Sequence, residues 1–297
     1  MRPRAMLPAI AVALFPMLSI PIARAGTPFL YRIEGTKPSW LFGTIHIPDK
    51  RVLDLSARAD EAFEASDVVM TEIPMDPGTQ MKMTQKLFLP EGQTLDKVLP
   101  KKLYARVDSL FSAKGLPFQP LSRFKIWTIA TQVALIDHFT KFLSGKPLDQ
   151  VIYQRASDAG KQVGGIETPE EQLAVFDSLS RAEQIRMLEG VLDMLQEFKQ
   201  KGEDPVEKLI LSFLSGEESR VVNAIKESYD PKNPIDRKLM KRLFEDRNTS
   251  MSQRIAARLK KEKEKSFFFA IGAGHLPGET GIAERLRKAG FKVTRVK

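Results

Sequence analysis

Short apolar runs occur near both ends of the chain and once near its middle, each bounded by glycine, proline or charged residues. Their aromatic and β-branched content is typical of buried β-strands. The predicted strands are 29–33, 39–43, 67–73, 161–167, 267–272 and 291–296. The first two are separated by the turn-rich segment 34–38, so we expect them to form a hairpin.

The rest of the chain has apolar residues at helical spacing, and most of these segments begin at a capping residue or proline. The predicted helices are 56–66, 79–88, 100–113, 122–142, 148–159, 182–201, 205–215, 217–228, 234–244, 249–263 and 281–289. One further helix start is specified in detail, because Thr168 and Glu171 form a capping box with Pro169 at the first helical position. Capping accounts for Thr168 and Glu171 completely, so we assign them no chemistry.

The order of these elements predicts an α/β fold with a mixed sheet built from the N- and C-terminal segments. A large, mainly helical middle region at about 79–248, interrupted by the strand 161–167, is expected to pack over the sheet edge as a cap. Such a cap would shape a cleft for an extended substrate and exclude water from it. The segments 281–289 and 291–296 are expected to close the chain as a βαβ-like unit.

The first 25 residues have the pattern of a secretory signal. Arg2 and Arg4 precede an apolar stretch from 6 to 22, and Ala23-Arg24-Ala25 matches a small-x-small cleavage pattern. A membrane anchor is the alternative, but the stretch is shorter than the ~20 residues that a spanning helix needs, and it contains prolines. We therefore expect a signal peptide at 1–25, one domain at 26–297, export to a bacterial periplasm, and no stable membrane anchor after cleavage.

Composition narrows the chemistry open to the chain. It has no cysteine, which excludes a disulfide scaffold and a lipoprotein acylated on cysteine, so a metal site would need histidine, carboxylate and other oxygen ligands. Removing the arginines at 2, 4 and 24 lowers the net charge from +9 to +6. The charge run 258–265 mixes both signs on a predicted helix and has no aromatic residues for base stacking. We therefore expect no nucleic-acid partner.

The same short motif follows two of the predicted strands. Gly43 and Gly272 each stand three residues before a histidine, His46 and His275, and the chain has only three histidines. The two lie near opposite ends of the chain, so only a sheet that pairs those ends brings them together. In the alternative interpretation, each histidine caps its strand and has a structural role. The third, His138, lies among apolar residues of a predicted helix, where we expect it to serve packing.

Two carboxylates and an Arg-Asn pair are further candidates. Glu72 and Glu167 each lie at the end of a predicted strand, where α/β proteins place their chemistry, although a carboxylate there is often only solvent-facing. Arg247 and Asn248 separate two predicted helices. Asn is a preferred helix N-cap, and an arginine near a hydrolytic centre would bind a substrate carboxylate or stabilise an oxyanion, so both roles stay open.

The paired Gly-x-x-His motifs resemble those of the TraB/GumN family, which includes the Tiki-type metalloproteases. The similarity extends from about residue 29 to the C-terminus and is close at 271–282, and the segments 167–172 and 247–248 resemble further family motifs. The resemblance implies metal-dependent peptide hydrolysis and favours Glu72 as a functional acid. Many members carry a second acid two residues later, where this chain departs from the pattern with Pro74.

Two imidazoles and one carboxylate form the ligand set of a catalytic zinc site, in which a bound water becomes acidic enough to attack a carbonyl. His46, Glu72 and His275 are accordingly the predicted ligands of a divalent metal ion. Zn, Mn, Co and Fe all suit such ligands, so the identity of the ion stays open.

The leading hypothesis is an exported metal-dependent hydrolase, a peptidase acting on a peptide or other extended substrate. Glu167 is its predicted general base, and Arg247 and Asn248 are further catalytic candidates. Two alternatives belong to other classes. The fold group also resembles erythromycin-esterase-like enzymes, in which a histidine would activate water without a metal. A non-catalytic protein would instead use the same cleft to bind a peptide or a polysaccharide. The oligomeric state is not predicted.

Overall fold

Six short strands form one mixed sheet in the computed structural model, which describes residues 29–296. The strands are β1 (Leu30–Ile33), β2 (Ser39–Thr44), β3 (Val68–Thr71), β4 (Gln162–Gly165), β5 (Phe267–Gly272) and β6 (Val293–Val296). Their order in the sheet is β4-β3-β5-β2-β1-β6. The predicted α/β fold, with a sheet built from N- and C-terminal segments, is confirmed. The predicted signal peptide at 1–25 lies outside the described residues.

Strand β5 occupies the middle of the sheet and joins its two halves. It pairs in parallel with β3 on one side and with β2 on the other, and β3 pairs in parallel with β4. β1 is antiparallel to both β2 and β6, so the predicted hairpin of the first two strands is confirmed. Because β2 and β1 lie between β5 and β6, the closing βαβ-like unit crosses two strands of the sheet.

Helices fill most of the remaining described chain, largely where helical spacing predicted them. They are α1 (Lys50–Leu53), α2 (Ala57–Glu64), α3 (Pro77–Lys86), α4 (Leu95–Val98), α5 (Lys101–Ala113), α6 (Ile126–Ala134), α7 (Phe139–Ser144), α8 (Leu148–Asp158), α9 (Pro169–Asp177), α10 (Arg181–Lys201), α11 (Pro205–Leu214), α12 (Glu218–Glu227), α13 (Pro234–Met240), α14 (Arg247–Lys261) and α15 (Ile282–Lys288). The predicted capping box at Thr168 and Glu171 is present at the start of α9.

The prediction of a single helix at 122–142 is wrong. A 3₁₀ turn at Ile136–His138 separates α6 from α7. His138 is buried in this turn, and its Nε2 atom lies 2.7 Å from Asp204 Oδ2, at the start of α11. This contact with another part of the chain accompanies the break, which the helical spacing of the segment did not predict.

A helix boundary at Arg247 and Asn248 is also wrong. α13 continues through a π-helical segment, Lys241–Asp246, directly into α14. Both residues are buried inside this long helical rod. The side chain of Asn248 bonds to groups outside its own helix and so caps nothing. π-helical turns are rare and are frequently found at functional sites, which makes the position of this one informative.

Different helices cover the two faces of the sheet. Phe42 and Phe268 are buried on one face with apolar residues of α2 and α8, and Leu41 and Phe269 are buried on the other with residues of α14 and α15. Adjacent strand residues thus face opposite sides, and β5 is buried along its whole length, as in other central parallel strands. The helical middle has its own core, formed by α4, α5, α6 and α10. None of the helices within 29–296 combines the length and apolarity needed to cross a membrane.

The parallel strands end together at one edge of the sheet. Thr44 is level with Gly272, and Thr71 is level with both Ala270 and Gly165. The segments that follow β2, β3, β4 and β5 therefore leave the sheet side by side, where α/β proteins place their ligand sites. The residues shortly after these strand ends include four predicted site residues: His46, Glu72, Glu167 and His275.

Candidate functional site

Two imidazoles and one carboxylate converge beside the exits of β2, β3 and β5. His46 Nε2 lies 3.6 Å from Glu72 Oε1, and His275 Nε2 lies 3.8 Å from the same oxygen. The backbone N–H of Gly272 donates a hydrogen bond to this oxygen at 2.8 Å. The structure therefore brings together the three residues predicted as metal ligands, with one carboxylate oxygen between the two rings.

The glycines of both Gly-x-x-His motifs permit this convergence. A Cβ atom at Gly272 would stand 3.0 Å from Glu72 Oε1 and 3.4 Å from an atom of each imidazole. A Cβ atom at Gly43 would stand 2.5 Å from Phe29 Cβ and 3.1 Å from Ala273 Cα. A side chain at either position would therefore push apart groups that the site holds close together, which is a reason to place glycine there.

Each imidazole is oriented by an oxygen acceptor at its Nδ1 atom. His46 Nδ1 lies 3.1 Å from Asp149 Oδ2, and His275 Nδ1 lies 2.6 Å from Asn248 Oδ1. Asn248 Nδ2 donates to the carbonyl oxygen of Thr280 at 3.0 Å, which directs the amide oxygen toward His275. An acceptor at Nδ1 favours the tautomer protonated there, so in a neutral ring the Nε2 atom would carry its lone pair toward the shared carboxylate.

Arg247 connects two buried glutamates. Its Nη2 atom donates to Glu72 Oε2 at 2.5 Å and lies 2.7 Å from Glu167 Oε2, to which Nε donates at 2.8 Å. Its Nη1 atom lies 3.3 Å from His275 Nε2. Gln172 Nε2 also donates to Glu72 Oε2, at 3.1 Å. The two oxygens of Glu72 thus have different partners. Oε2 accepts hydrogen bonds from Arg247 and Gln172, and Oε1 faces the two imidazoles.

These contacts set the pKa values of the site. Burial would raise the pKa of Glu72, but His275, His46 and Arg247 outweigh it and hold the carboxyl well below its usual range. Burial lowers the pKa of His275 to about 4. Partial desolvation acts in the same direction on His46, whose side chain is about half exposed, yet the carboxylates of Asp149 and Glu72 raise its pKa well above the usual value. The two imidazoles therefore differ in how readily they accept a proton.

The three convergent residues line a cleft of about 470 Å³. Phe244, from the π-helical segment, forms part of its wall, and the ring of Phe244 lies 5.1 Å from the imidazole of His275. Glu167 is not among the lining residues, because it faces a separate hollow that shares Arg247 with the cleft. Burial raises the pKa of Glu167, although Arg247 opposes this. The role of Glu167 as a general base stays a prediction.

Sequence reasoning missed Asp149, Gln172 and Phe244. Asp149 is the second residue of α8; its side chain is buried, and its Oδ1 atom has no hydrogen-bond partner among the described residues. An acid in the first turn of a helix is ordinarily explained by the helix dipole, so the position alone gave no signal of a site. Gln172 is the last residue of the stretch 167–172, and the resemblance of this stretch to a family motif was the available signal.

The donor types of His46, Glu72 and His275 suit a divalent transition metal. Tetrahedral zinc bonds of about 2.0–2.1 Å place neighbouring donors ~3.4 Å apart, close to the 3.6 and 3.8 Å measured from Glu72 Oε1. As the side chains stand, no group of three histidines, aspartates or glutamates within 29–296 is arranged to hold a metal ion. Arg247 lies against two of the donor residues, Glu72 and His275. The set fits in chemistry, and the metal site stays a prediction.

Comparison with known proteins identifies relatives along nearly the whole described chain. A model of the TraB/PrgY/gumN family matches residues 29–295. Metalloprotease TIKI1 of Danio rerio is 30% identical over 308 aligned residues, which cover 89% of this chain and 62% of the relative. Metalloprotease TIKI1 of Homo sapiens is 29% identical over 311 residues, with 89% and 61% covered. The metalloprotease TIKI homolog of Amphimedon queenslandica is 25% identical over 312 residues, with 90% and 61% covered.

These relatives are longer than the chain, which spans about three fifths of their length. Their names suggest metal-dependent hydrolysis without identifying the ion. No solved structure matches the sequence.

Proposed function

The chain belongs to the TraB/PrgY/gumN family, and on that premise we propose that it is a metal-dependent hydrolase of peptide bonds. The observation that supports this most is the convergence of both imidazole Nε2 atoms on Glu72 Oε1. The metalloprotease names of the relatives support the reaction class. Since the chain covers only about 62% of the first relative, activity and substrate class are carried over only as parts of the proposal.

His46, Glu72 and His275 are the residues that would hold the ion. A bound divalent ion would supply Lewis acidity, which lowers the pKa of a water and polarises a carbonyl. Metal ligands must be deprotonated; the lowered pKa values of Glu72 and His275 suit that requirement, whereas His46, with its raised pKa, would have to release its proton when the ion binds. Zn, Mn, Co and Fe are all compatible with two imidazoles and a carboxylate.

The neighbouring residues would orient the ligands and the substrate. Asp149 and Asn248 are positioning residues, since each bonds to the Nδ1 atom of one imidazole and so directs Nε2. Arg247 lines the cleft, where its planar guanidinium would bind a substrate carboxylate or stabilise a developing oxyanion. Glu167 bonds to Arg247 from outside the cleft, so we assign it first as the residue that positions this guanidinium.

The Glu167→Gln variant separates positioning from general-base catalysis. A glutamine keeps an oxygen that accepts from Arg247, so a positioning role predicts a loss in kcat of less than about tenfold and an unchanged pH profile. Loss of a general base lowers the rate by about 10²–10⁴-fold and removes one limb of the pH profile. The second outcome would return Glu167 to the role that the sequence first indicated.

Metal analysis followed by a peptide-library assay tests the proposed activity. We expect about one divalent ion per purified chain, as in single-ion catalytic sites, and cleavage that stops in EDTA. Cleavage should return when one of Zn, Mn, Co or Fe is added back. The proposal fails if the folded protein, reconstituted with each of the four ions in turn, cleaves no peptide of the library.

A metal-independent esterase is the second candidate, and one contact favours it. Asp149 Oδ2 lies beside His46 Nδ1, and His46 is the more exposed of the two imidazoles. A histidine supported by a carboxylate acts as a general base toward water or a nucleophile in metal-free hydrolases. Hydrolysis of p-nitrophenyl esters that persists in EDTA and is lost in His46→Ala would favour this candidate, and hydrolysis abolished by EDTA would exclude it.

We also propose that the chain is exported to the periplasm, because residues 1–25 have the pattern of a signal peptide. Cell fractionation and N-terminal sequencing test this. A periplasmic protein that begins at Gly26 is the expected result, and an unprocessed chain confined to the cytoplasm would refute export without affecting the proposed chemistry.

A further inference from the structure

A second cavity adjoins the cleft. It has a volume of about 540 Å³ and lies between α6, α10 and α13. Phe176 and Leu243 line both the cleft and this cavity, so the two share a wall. We name the second cavity the acidic groove, for the carboxylates along its rim. A peptide would have to extend beyond the cleft, across Phe176 and Leu243, to reach the groove.

The floor of the acidic groove is apolar and adaptable. It is formed by Ala130 and Ala134 of α6, by Val191 of α10, and by three methionines. The methionines are Met187, Met194 and Met240. Unbranched thioether side chains fill irregular space and are common on surfaces that bind varied partners. Such a floor accepts the aliphatic part of a long side chain without requiring one fixed shape.

Carboxylates form the rim of the groove. They belong to Asp193, Glu197, Glu227, Asp230 and Asp236, and none of the described residues lining the groove is lysine or arginine. The whole chain has a net charge of +9, so this local excess of negative charge runs against the overall balance. Charge complementarity therefore favours a positively charged occupant of the groove.

The present partners of the rim carboxylates leave them able to bind a cation. Asp193 pairs with Arg106 at 2.7 Å, Glu197 pairs with Lys201 at 2.6 Å, and Glu227 pairs with Lys208, but all six side chains are exposed, so solvent screens these pairs. Asp236 accepts a backbone N–H of the preceding loop at 2.9 Å and has no ion-pair partner in the described part of the chain. A cationic ligand would therefore displace the partners of weak surface ion pairs, or it would pair with the carboxylate of Asp236, which forms no ion pair within 29–296.

We propose that the acidic groove is a subsite for a lysine or arginine of the peptide substrate, flanked by apolar residues. The inference rests on the proposed peptide hydrolysis, because it assigns groove and cleft to the same substrate. The aliphatic stem of lysine or arginine covers the methionine floor, and its charged end reaches the carboxylates of the rim. If the groove is this subsite, the preferred substrates are basic, amphipathic peptides rather than peptides of any sequence.

Calorimetry with the full chain in EDTA measures this binding without cleavage. The ligands are three acetylated and amidated hexapeptides in which leucine alternates with lysine, glutamine or glutamate. We expect the lysine peptide to bind at least about tenfold more tightly than the glutamine peptide at low salt, and the preference to fall in about 1 M NaCl, because salt screens the charges. The glutamate peptide should bind most weakly.

A triple variant assigns this preference to the groove. Asp193→Asn, Glu197→Gln and Asp236→Asn together remove three rim charges and keep the size of each side chain and one acceptor oxygen on it. We expect binding of the lysine peptide to weaken by about tenfold and binding of the glutamine peptide to stay unchanged.

The matched control removes three exposed carboxylates elsewhere, through Glu61→Gln, Asp108→Asn and Glu264→Gln, and should change lysine-peptide binding by less than about twofold. Equal weakening in both triple variants, or equal affinity for all three peptides, would overturn the proposal. A lysine preference in a protein that cleaves nothing would retain the subsite and reject the hydrolase, and cleavage indifferent to basic residues would reject the subsite alone.

Discussion

The two Gly-x-x-His segments share a sequence pattern and follow adjacent parallel strands, yet their histidines have different surroundings. The side chain of His275 is 8% exposed, whereas that of His46 is 52% exposed. His275 faces the neutral amide of Asn248, and His46 faces the carboxylate of Asp149. We name 43–46 the N-terminal arm and 272–275 the C-terminal arm. The comparison shows that one motif can produce a buried ring and an accessible ring in the same site.

The helices around each arm account for the difference. α14 encloses the C-terminal arm and contributes Arg247 and Asn248, and the π-helical segment before it adds the ring of Phe244. The N-terminal arm meets the start of α8, where Asp149 supplies the acceptor for His46. The motif therefore determines where an imidazole leaves the sheet, and the packed helices determine its charge and accessibility. Substitutions in the two arms should accordingly have different consequences.

Removing both imidazoles tests whether the two arms share one ion, and it should have the largest effect. His46→Ala combined with His275→Ala is expected to abolish metal uptake and turnover, because a single carboxylate does not hold a divalent ion. Metal content by mass spectrometry and peptide cleavage are the measurements. His138→Ala is the control, since His138 pairs with Asp204 and should leave metal content unchanged. Undiminished metal in the double variant would remove the proposed site.

Arg247 contacts the C-terminal arm and supports both buried glutamates. Arg247→Met leaves Glu72 and Glu167 buried without their cation, so we expect the free energy of unfolding to fall by about 3–5 kcal/mol. Arg254→Met on the same helix breaks an exposed pair with Glu171 and should cost at most about 1 kcal/mol. Urea denaturation measures the unfolding free energy of both variants. Similar losses in Arg247→Met and Arg254→Met would contradict the proposal that the buried guanidinium of Arg247 stabilises the two glutamates.

Alanine substitutions at the two motif glycines should affect different properties of the protein. A Cβ atom at Gly43 would meet Phe29 Cβ at 2.5 Å, so Gly43→Ala requires the strands to shift and should lower the unfolding free energy by about 1–3 kcal/mol. A Cβ atom at Gly272 would meet the end of Glu72 at 3.0 Å. Gly272→Ala should therefore weaken metal binding more than stability. Urea denaturation measures stability and chelator competition measures metal binding, so together they separate the two effects. If Gly272→Ala lost more stability than Gly43→Ala, the proposed difference between the two glycines would be wrong.

The acceptors behind the imidazoles should have the smallest effects. Replacing either Asp149 or Asn248 by leucine removes the group that orients one ring, and we expect metal affinity to fall by about 10–100-fold. Asp149→Asn keeps an oxygen acceptor for His46 and should lose less than about tenfold. Competition with a metal-binding dye gives the affinities, and NMR of the ring nitrogens reports the tautomer. An unchanged tautomer of His46 in Asp149→Leu would contradict the positioning role.

The strands were predictable because short runs of apolar, β-prone residues indicate buried strands. Runs such as Phe267-Phe268-Phe269 have few alternatives to a central strand, and all six predicted strands are present in the sheet. The position of His46 and His275 side by side depended on a further expectation, that the two ends of the chain pair in one sheet, and the parallel pairing of β2 with β5 confirms it. The single helix 122–142 was mispredicted because helical spacing does not encode contacts between distant parts of the chain. One such contact, between His138 and Asp204, accompanies the break.

The surroundings of the site were less predictable. Asp149 becomes significant only because the start of α8 lies against the N-terminal arm, and nothing in its local sequence distinguishes it from an ordinary first-turn acid. Arg247 and Asn248 were recognised, but the helix boundary expected there was wrong, because the π-helical segment continues the helix through them. Local pattern thus identified the site residues at strand ends and missed Asp149 on α8, and it recognised Arg247 and Asn248 without predicting the helix that contains them.

The central position of β5 also constrains how the protein comes into being. Until residues 267–272 have been synthesised, the β1–β2 hairpin and the β3–β4 pair each present an unpaired apolar edge, which invites association between unfinished chains. Pairing segments so distant in sequence is also slow, because a long loop must close first. A nascent chain released before β5 would hold two half-sheets and one imidazole arm, so truncated products should aggregate and carry no metal.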